Sequence, residues 1–365
     1  MKVLMLVNWK IEYVDEVPED KQPPDYFVKG KPYWFFRYFP DADNWQVDVV
    51  DISSFPVLER FEKDKIRFYV WQTLKVLLKL NQYDLVLSHG MQSGIVLCLF
   101  RRLFGKGRYK HIVFDIGGFN SAREEGQALK LMQFASKSLD GVIYHTKRQI
   151  EYYRKCHPWL LEKSRYIAFG TDTEFFRPSG AVCDMKNPYI LCIGYHKRDW
   201  DTLLEAYESL KEEWKEQEQF PRLKLIGKNE LKKKYDGVDT VAFIPIKKLM
   251  GEIERAVFCV LPLESFLYSF GQMTLLQQML LEKAVIVADV PSVHGYITDG
   301  KNAMFYKPQN VSELIEKMKK LIVNPQICKE IGKNARRSVI EEWNEKKMAE
   351  EIYSFCNEVI DRKNI

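Results

Sequence analysis

The residues best suited to hold a charged ligand in this chain of 365 residues lie just after apolar, strand-like runs. Gly271-Gln272-Met273-Thr274 opens a helical pattern a few residues beyond the run 257–262. A helix start presents free backbone N–H groups and the positive end of the macrodipole, which suits a diphosphate, and the Thr274 hydroxyl adds a donor. The basic trio His196-Lys197-Arg198 follows the run 189–193 and Gly194. Asp115-Ile116-Gly117-Gly118-Phe119-Asn120 closes the run 111–115. A carboxylate at such a place could accept a proton or face a growing positive charge. The competing reading of Asp115 is a helix cap or structural carboxylate. Gly117-Gly118 frees the backbone to approach a ligand. His89, at the end of the run 84–88, is the other acid–base candidate, against a satisfied structural histidine.

These residues are placed by an alternation of strand and helix patterns that runs through the chain. In the first half, strands are expected over residues 3–7, 47–52, 84–88, 111–115 and 141–145, with helices near 65–80, 92–103, 122–137 and 147–155. A polar stretch with Gly180 and Pro188 reads as a linker. The alternation then restarts, with strands 189–193, 223–226, 240–243, 257–261 and 285–288 and helices 201–213, 246–256, 272–281 and 312–321. Helices 325–343 and 345–362 end the chain. Such alternation gives an α/β fold, with parallel sheets covered by helices on both faces. Ligands of these sheets sit beyond the carboxyl ends of the strands, which directs attention to Asn8, His89, residues 115–120 and Thr146. The length implies two domains: residues 1–178, residues 179–345, and a last helix, 346–365, packing back on the N-terminal domain.

Composition removes several classes of function. Lys and Arg number 55 against 50 Asp and Glu, a net +5 too weak and dispersed for nucleic acid. The seven cysteines are scattered singly, with no C-x-x-C, so reduced thiols are expected rather than a disulfide framework or cysteine zinc site. The six histidines show no metal spacing. The run 3–7 is too short for a signal-peptide core, and no stretch of about 18 apolar residues could span a membrane. A cytoplasmic protein is expected. No G-x-G-x-x-G follows a strand, which disfavours a dinucleotide dehydrogenase. The segment 65–79 is basic and aromatic at helical spacing, and Arg101-Arg102 and residues 106–110 add charge. It reads as an amphipathic core helix with snorkelling lysines or as a peripheral contact with anionic lipid at the inner face of a membrane.

Taken in order, the motifs resemble those of the retaining GT-B glycosyltransferases of family 4. Phe169-Gly170-Thr171-Asp172 with Phe176 and Pro178 resembles that family's N-G-x-D-x-x-x-F-x-P signature, with Phe169 in place of Asn. Gly194 through Ala206 resembles the entry to its second domain. Residues 262–306, through Lys283-Ala284-Val285-Ile286-Val287-Ala288-Asp289-Val290-Pro291, Asp299-Gly300 and Phe305, resemble its donor site. The resemblance implies the GT-B fold, two Rossmann-like α/β/α domains facing each other across a cleft. It also implies sugar transfer from a nucleotide-diphosphate sugar with retention at the anomeric carbon, without a metal and with no cofactor beyond that co-substrate.

The same resemblance distributes roles. An Arg and a Lys of the entry region hold the diphosphate; Tyr195 stands at the usual Arg position, and Arg198, then Lys197, are the nearest replacements, unless both are surface charges of a turn. His196 reads as a turn residue. Gly194, Gly271, Gln272, Met273 and Thr274 would line the donor site. The glutamate that accepts both ribose hydroxyls falls on Gln277, which can accept one hydroxyl and donate to the other without the charge; a solvated helix residue is the plain alternative. The family's first glutamate has no clear counterpart, and Glu264 either loops into the site as a catalytic group beside Asp115 and Arg198 or is a surface carboxylate. Ile244-Pro245 would pack against the base, or form an ordinary loop. Asn8, His89, Gly117, Gly118 and Asn120 would face the acceptor. The function expected is a hexosyltransferase acting on a glycan or lipid-linked acceptor in cell-surface polysaccharide synthesis. A non-catalytic GT-B protein that binds a nucleotide sugar or a partner is the first alternative, and a nucleotide-sugar epimerase of GT-B fold the second.

Overall fold

The protein is described by a computed structural model covering residues 1–119, 124–195, 197–214, 220–228 and 230–362. It divides into two compact units. The first comprises Met1–Ala168, Leu267–Phe270 and Lys346–Ile365; the second comprises Phe169–Phe266 and Gly271–Glu345.

The first unit holds strands β1 (Lys2–Leu6), β2 (Glu12–Val14), β3 (Tyr26–Val28), β4 (Gln46–Val50), β5 (Leu85–His89), β6 (Lys110–Asp115), β7 (Gly141–Tyr144) and β8 (Ser164–Tyr166). Six of them form one sheet in the order β4-β1-β5-β6-β7-β8, and β2 and β3 pair separately. Every pairing is parallel. Parallel strands with helices on both faces must be apolar throughout rather than alternating, and Val3 to Leu6 of β1 and Leu85 to Ser88 of β5 are buried without a break. The crossover helices include α1 (Pro56–Phe61), α2 (Val70–Val76), α3 (Met91–Phe104), α4 (Gln127–Ser136) and α5 (Gln149–Cys156).

The second unit holds β9 (Tyr189–Ile193), β10 (Arg222–Ile226), β11 (Val238–Val241), β12 (Cys259–Leu261), β13 (Val285–Ala288) and β14 (Met304–Tyr306), in the order β11-β10-β9-β12-β13-β14. Its helices are α6 (Trp200–Glu213), α7 (Ile246–Arg255), α8 (Gln272–Leu280), α9 (Val311–Val323) and α10 (Pro325–Glu342). This is the doubly wound Rossmann order, and it reverses direction between β9 and β12. The final helix, α11 (Glu345–Asp361), buries Met348, Ala349, Ile352, Phe355, Cys356 and Val359 on one stripe. Phe355 packs on Gly141 of β7, Arg165 lies over the Phe355 ring, and Tyr353 meets Phe39 and Trp45.

The structure departs from the sequence reading in several places: the helix expected near 122–137 is α4, beginning at Gln127, and the paired strands β2 and β3 have no counterpart in that reading. Residues 65–80 are not one helix: a π-helical turn over Glu62–Ile66 stops at Arg67, which is left-handed (φ 58°), and α2 starts afresh with the Trp71 N–H donating to the Glu62 carboxylate at 2.8 Å. A 3₁₀ segment, Leu77–Gln82, follows α2. The third strand of the second unit is Val238–Val241, earlier than residues 240–243, because the ladder closes where Gly227 N–H bonds the Val241 carbonyl; Phe243 then lies exposed in the loop before α7. In the segment after β8, the Asp172 carboxylate accepts the N–H groups of Glu174 and Phe175 and so fixes that turn. The linker is pinned to α7 by Glu254, whose carboxylate accepts from the Ser179 N–H and hydroxyl.

Candidate functional site

The crevice at the β9/β12 reversal is where a doubly wound sheet binds its ligand. A cavity of about 440 Å³ lies there, and its walls include Arg198, Trp200, Lys228, Leu263, Glu264 and Gln309. Arg198 is 6% exposed and therefore not a surface turn residue. Its Nε donates to the Ile193 carbonyl at 3.0 Å, and its backbone bridges to Leu263 beyond β12. A Cβ on Gly194 would stand 2.3 Å from Arg198 Nε, so glycine is what lets the guanidinium lie flat on the strand end. Burial lowers the Arg198 pKa, with the Glu264 charge acting the other way; an arginine stays protonated regardless. Lys197 is left-handed (φ 55°) and its ammonium sits 3.8 Å from the centre of the Phe266 ring. Glu264 is exposed at the cavity wall. His196 lies outside the described residues.

The start of α8 adjoins the same wall. Gly271 is its N-cap in the left-handed conformation (φ 82°), and a Cβ there would meet the Leu263 side chain at 2.7 Å. Leu263 thus links the cavity to the helix start. Gln272 is buried, Met273 exposed and Thr274 half-buried. Gln277 is 6% exposed, which removes the reading of a solvated helix residue. Ile244 is half-buried, and Pro245 is the exposed N-cap of α7.

Sequence reasoning passed over other residues at this edge. Lys228 follows β10, is half-buried and lines the cavity, 6.0 Å from the centre of the Trp200 ring. Its signal was a lysine directly after Gly227 at a strand end. Tyr195 and Phe243, 49% and 69% exposed, follow β9 and β11 with ring centres 6.5 Å apart. Gly227 lies beside the Tyr195 ring, and a Cβ there would stand 3.2 Å from it. Two exposed aromatics just past strand ends offer flat surface on which a heteroaromatic ring can stack.

In the first unit, Asn8, His89, Gly117 and Gly118 come to the carboxyl edge of β1, β5 and β6. His89 Nδ1 pairs with Asn8 Oδ1 at 3.2 Å. The imidazole packs against Trp9, Trp34 and Phe114, and burial, with a smaller contribution from His145, lowers its pKa to about 3. It is neutral at physiological pH. A Cβ on Gly118 would stand 2.4 Å from the Met91 Cβ, so that glycine is set by close packing on α3. Thr146 is buried at the end of β7. Asn120 lies outside the described residues.

Asp115 is a different object from the open base considered above. It is fully buried, and its carboxylate accepts from Gly117 N–H (3.0 Å), Phe119 N–H (3.4 Å), Gln149 Nε2 (2.7 Å) and Tyr153 Oη (2.6 Å). A carboxylate has about four lone-pair sites, and these donors occupy them. Burial raises its pKa, and the same four hydrogen bonds oppose the rise. The geometry is that of a structural carboxylate anchoring the 115–119 loop.

Two Rossmann-like units in one chain, with a crevice at the reversal of the second lined by Arg198, Lys228 and Lys232 together with Asp199, Asp201 and Glu264, match the GT-B fold. Comparison with known proteins agrees. Residues 187–324 match the sequence model of the family described as Glycosyl transferases group 1. A sucrose-phosphate synthase of Thermosynechococcus elongatus superposes with a TM-score of 0.71 at 16% identity, over 98% of this chain and 99% of that one. A glycosyltransferase of Rickettsia africae gives 0.66 at 12% identity, over 99% and 100%. HepE of Anabaena, solved with UDP and glucose, gives 0.66 at 13% identity, over 98% and 100%. At these identities the solved structures speak for the fold. No curated protein matches the chain in sequence.

Proposed function

We propose that the protein is a metal-independent, retaining glycosyltransferase that moves a sugar from a nucleoside-diphosphate donor, held on the second unit, to a glycan or lipid-linked hydroxyl held on the first. The observation that carries this reading is the meeting of Arg198 and Lys228 around one cavity at the β9/β12 reversal, with Leu263 of its wall packed against Gly271 at the start of α8. Negative charge grows on the departing diphosphate in such a transfer, and donors fixed before reaction stabilise it without reorganisation. Arg198 meets that requirement, because its guanidinium is already held by Ile193 and seated on Gly194. The base stacks at Tyr195 and Phe243 beside Ile244-Pro245, Gln277 bonds the ribose, and Gly194, Lys197 and residues 271–274 complete the donor site.

Asn8, His89, Gly117 and Gly118 line the acceptor side, with Asp115 holding their loop. Since Asp115 is saturated, the proton of the acceptor hydroxyl passes to an oxygen of the leaving diphosphate. The bond from the anomeric carbon to that diphosphate breaks as the new glycosidic bond forms on the same face. Glu264 orders Arg198 and Lys197 and approaches the donor sugar. The resemblance favours surface polysaccharide synthesis on the cytoplasmic side, and the HepE structure with UDP supports a uridine donor.

Gln277 in place of a carboxylate and the saturation of Asp115 favour a second reading, a non-catalytic protein that binds a nucleotide sugar. Thermal shifts with UDP, GDP and ADP and their sugars, followed by donor turnover with sugar and glycan acceptors, separate the two. A shift with turnover supports the enzyme. A shift without turnover supports the binding protein. The absence of any shift sinks both.

A further inference from the structure

The first unit carries a surface that neither the nucleotide nor the acceptor reading uses. It lies where the strands of its sheet begin, at the opposite edge from Asn8 and His89. After α2, the 3₁₀ segment leaves Leu78 97% exposed and Lys79 exposed beside it, and Leu74 is 49% exposed one turn earlier. At the end of α3, every residue from Arg102 to Arg108 is exposed, with Leu103 at 67% and Phe104 at 74%. The two ends are neighbours: a Cβ on Gly107 would stand 3.1 Å from Asn81 Oδ1. Phe104 is braced rather than loose, since its ring lies 4.9 Å from that of Phe100. An exposed leucine or phenylalanine alone needs no explanation. Several on adjoining helix ends of one face do.

Charge identifies what covers them. Residues 76–110, which carry Leu78, Leu103 and Phe104, contain six Lys and Arg against a single Asp and no Glu, whereas the whole chain is nearly balanced at 55 to 50. That acid, Asp84, is engaged by the Lys2 N–H, and the buried Arg101 is neutralised by Asp140. Lys79, Arg102 and Arg108 have no carboxylate partner among the described residues. A second copy of this chain would bring like charge against like. A bilayer with anionic headgroups offers both things this face lacks, negative charge for the rim and a shallow apolar layer for Leu78, Leu103 and Phe104.

We propose that this face is a peripheral docking surface for an anionic lipid bilayer, inserting Leu78, Leu103 and Phe104 at headgroup depth within a ring of Lys79, Arg102, Lys106 and Arg108. The contact belongs to the first unit alone and stands or falls apart from the donor site. The test is co-sedimentation of the full-length protein with vesicles of pure phosphatidylcholine and of phosphatidylcholine with 30% phosphatidylglycerol. Binding is expected to the mixed vesicles only, and to fall as salt rises from about 50 to 500 mM, because each basic residue contributes about fivefold to partitioning. Leu78→Glu with Phe104→Glu is expected to reduce the bound fraction at least tenfold, and Arg102→Glu with Arg108→Glu to do the same. Both pairs sit at exposed positions, and an unchanged melting curve shows that the variants are folded. Equal binding to both vesicle types, or full binding by either pair of variants, overturns the proposal. So does a dimer in light scattering that these substitutions dissociate while no vesicle binding is seen in the parent.

Discussion

Truncating Arg198 to alanine should weaken nucleoside-diphosphate binding about 10- to 150-fold while leaving the free protein nearly as stable as before. The two halves of this expectation have different origins. The guanidinium is held at 6% exposure, and burial already depresses its pKa, so the free protein keeps this charge at a desolvation cost. Removing it relieves that cost but leaves the Ile193 carbonyl without its 3.0 Å donor, worth roughly 1 kcal/mol in the other direction. The two nearly cancel. On the ligand side, hydrogen bonds between a fixed guanidinium and phosphate are charge-assisted and contribute about 1.5–3 kcal/mol. A nucleotide at about 100 times its dissociation constant stabilises the parent by roughly 2.7 kcal/mol. At the same concentration a variant weakened 50-fold gains only about 0.6 kcal/mol. For a unit of this size those values correspond to about 5–10 °C and about 1–3 °C of thermal shift. The assay is a melting series with whichever nucleotide shifts the parent, repeated on the variant at the same concentration. A full shift in the variant would refute the diphosphate assignment, and a free protein that no longer folds would refute the cancellation.

Gln277→Glu is expected to tighten donor binding by about 1 kcal/mol through the ribose hydroxyls and to lower the stability of the free protein by a similar amount, because the new charge is buried; titration calorimetry reads the first and melting the second. Asp115→Asn sets an NH₂ against some of the four donors around that side chain, so urea unfolding should show a loss of about 2–4 kcal/mol with the nucleotide shift intact. The pKa values of His89, His145 and His157 fall to about 3, about 4 and about 4, and that of His111 falls well below its ordinary value, each through burial. Below the free imidazole value near 6.5 the unfolded chain therefore binds more protons than the folded one, and stability must fall with pH by about 1.4 kcal/mol per histidine per pH unit. His157→Phe removes one share of that slope and also a ring whose two nitrogens have no hydrogen-bond partner among the described residues; melts between pH 7.5 and 5.5 that keep the full slope would count against it. Gly332→Ala drives a Cβ to 2.1 Å from the Glu282 carbonyl oxygen, an immovable backbone atom, and should cost at least about 2 kcal/mol in chemical denaturation.

The parallel α/β architecture was legible because buried strands such as Val3 to Leu6 and Val285 to Ala288 are apolar without interruption, and the helices between them keep their period. The break at Arg67 was not, because it depends on a left-handed residue and on Glu62 reaching Trp71, and neither leaves a periodic trace. At the second unit's edge, Gly194, Arg198 and the start of α8 could be picked out from their places after strands. Lys228 carried the same signal, directly after Gly227 at a strand end, but that it shares an edge with Tyr195 and Phe243 follows only from the strand order β11-β10-β9-β12, which makes the loops after β9, β10 and β11 neighbours. Asp115 shows the opposite limit. Its place at a strand end suggested chemistry, and only the positions of Gln149 and Tyr153, more than thirty residues further on, reveal that its lone pairs are taken.

The stripe Met348, Ala349, Ile352, Phe355, Cys356 and Val359 has a consequence for how the protein comes into being. These residues belong to the unit whose first strand is built from residues 2–6, yet they leave the ribosome only after the whole of the second unit. While the second unit is being made, the faces of Phe39, Trp45, Gly141 and Arg165 that meet α11 stay uncovered. The second unit, apart from residues 267–270, is continuous in the chain and can close as soon as residue 345 emerges. The unit translated first is therefore completed last, and a stop codon anywhere before α11 strands an apolar face in the amino-terminal half of the molecule.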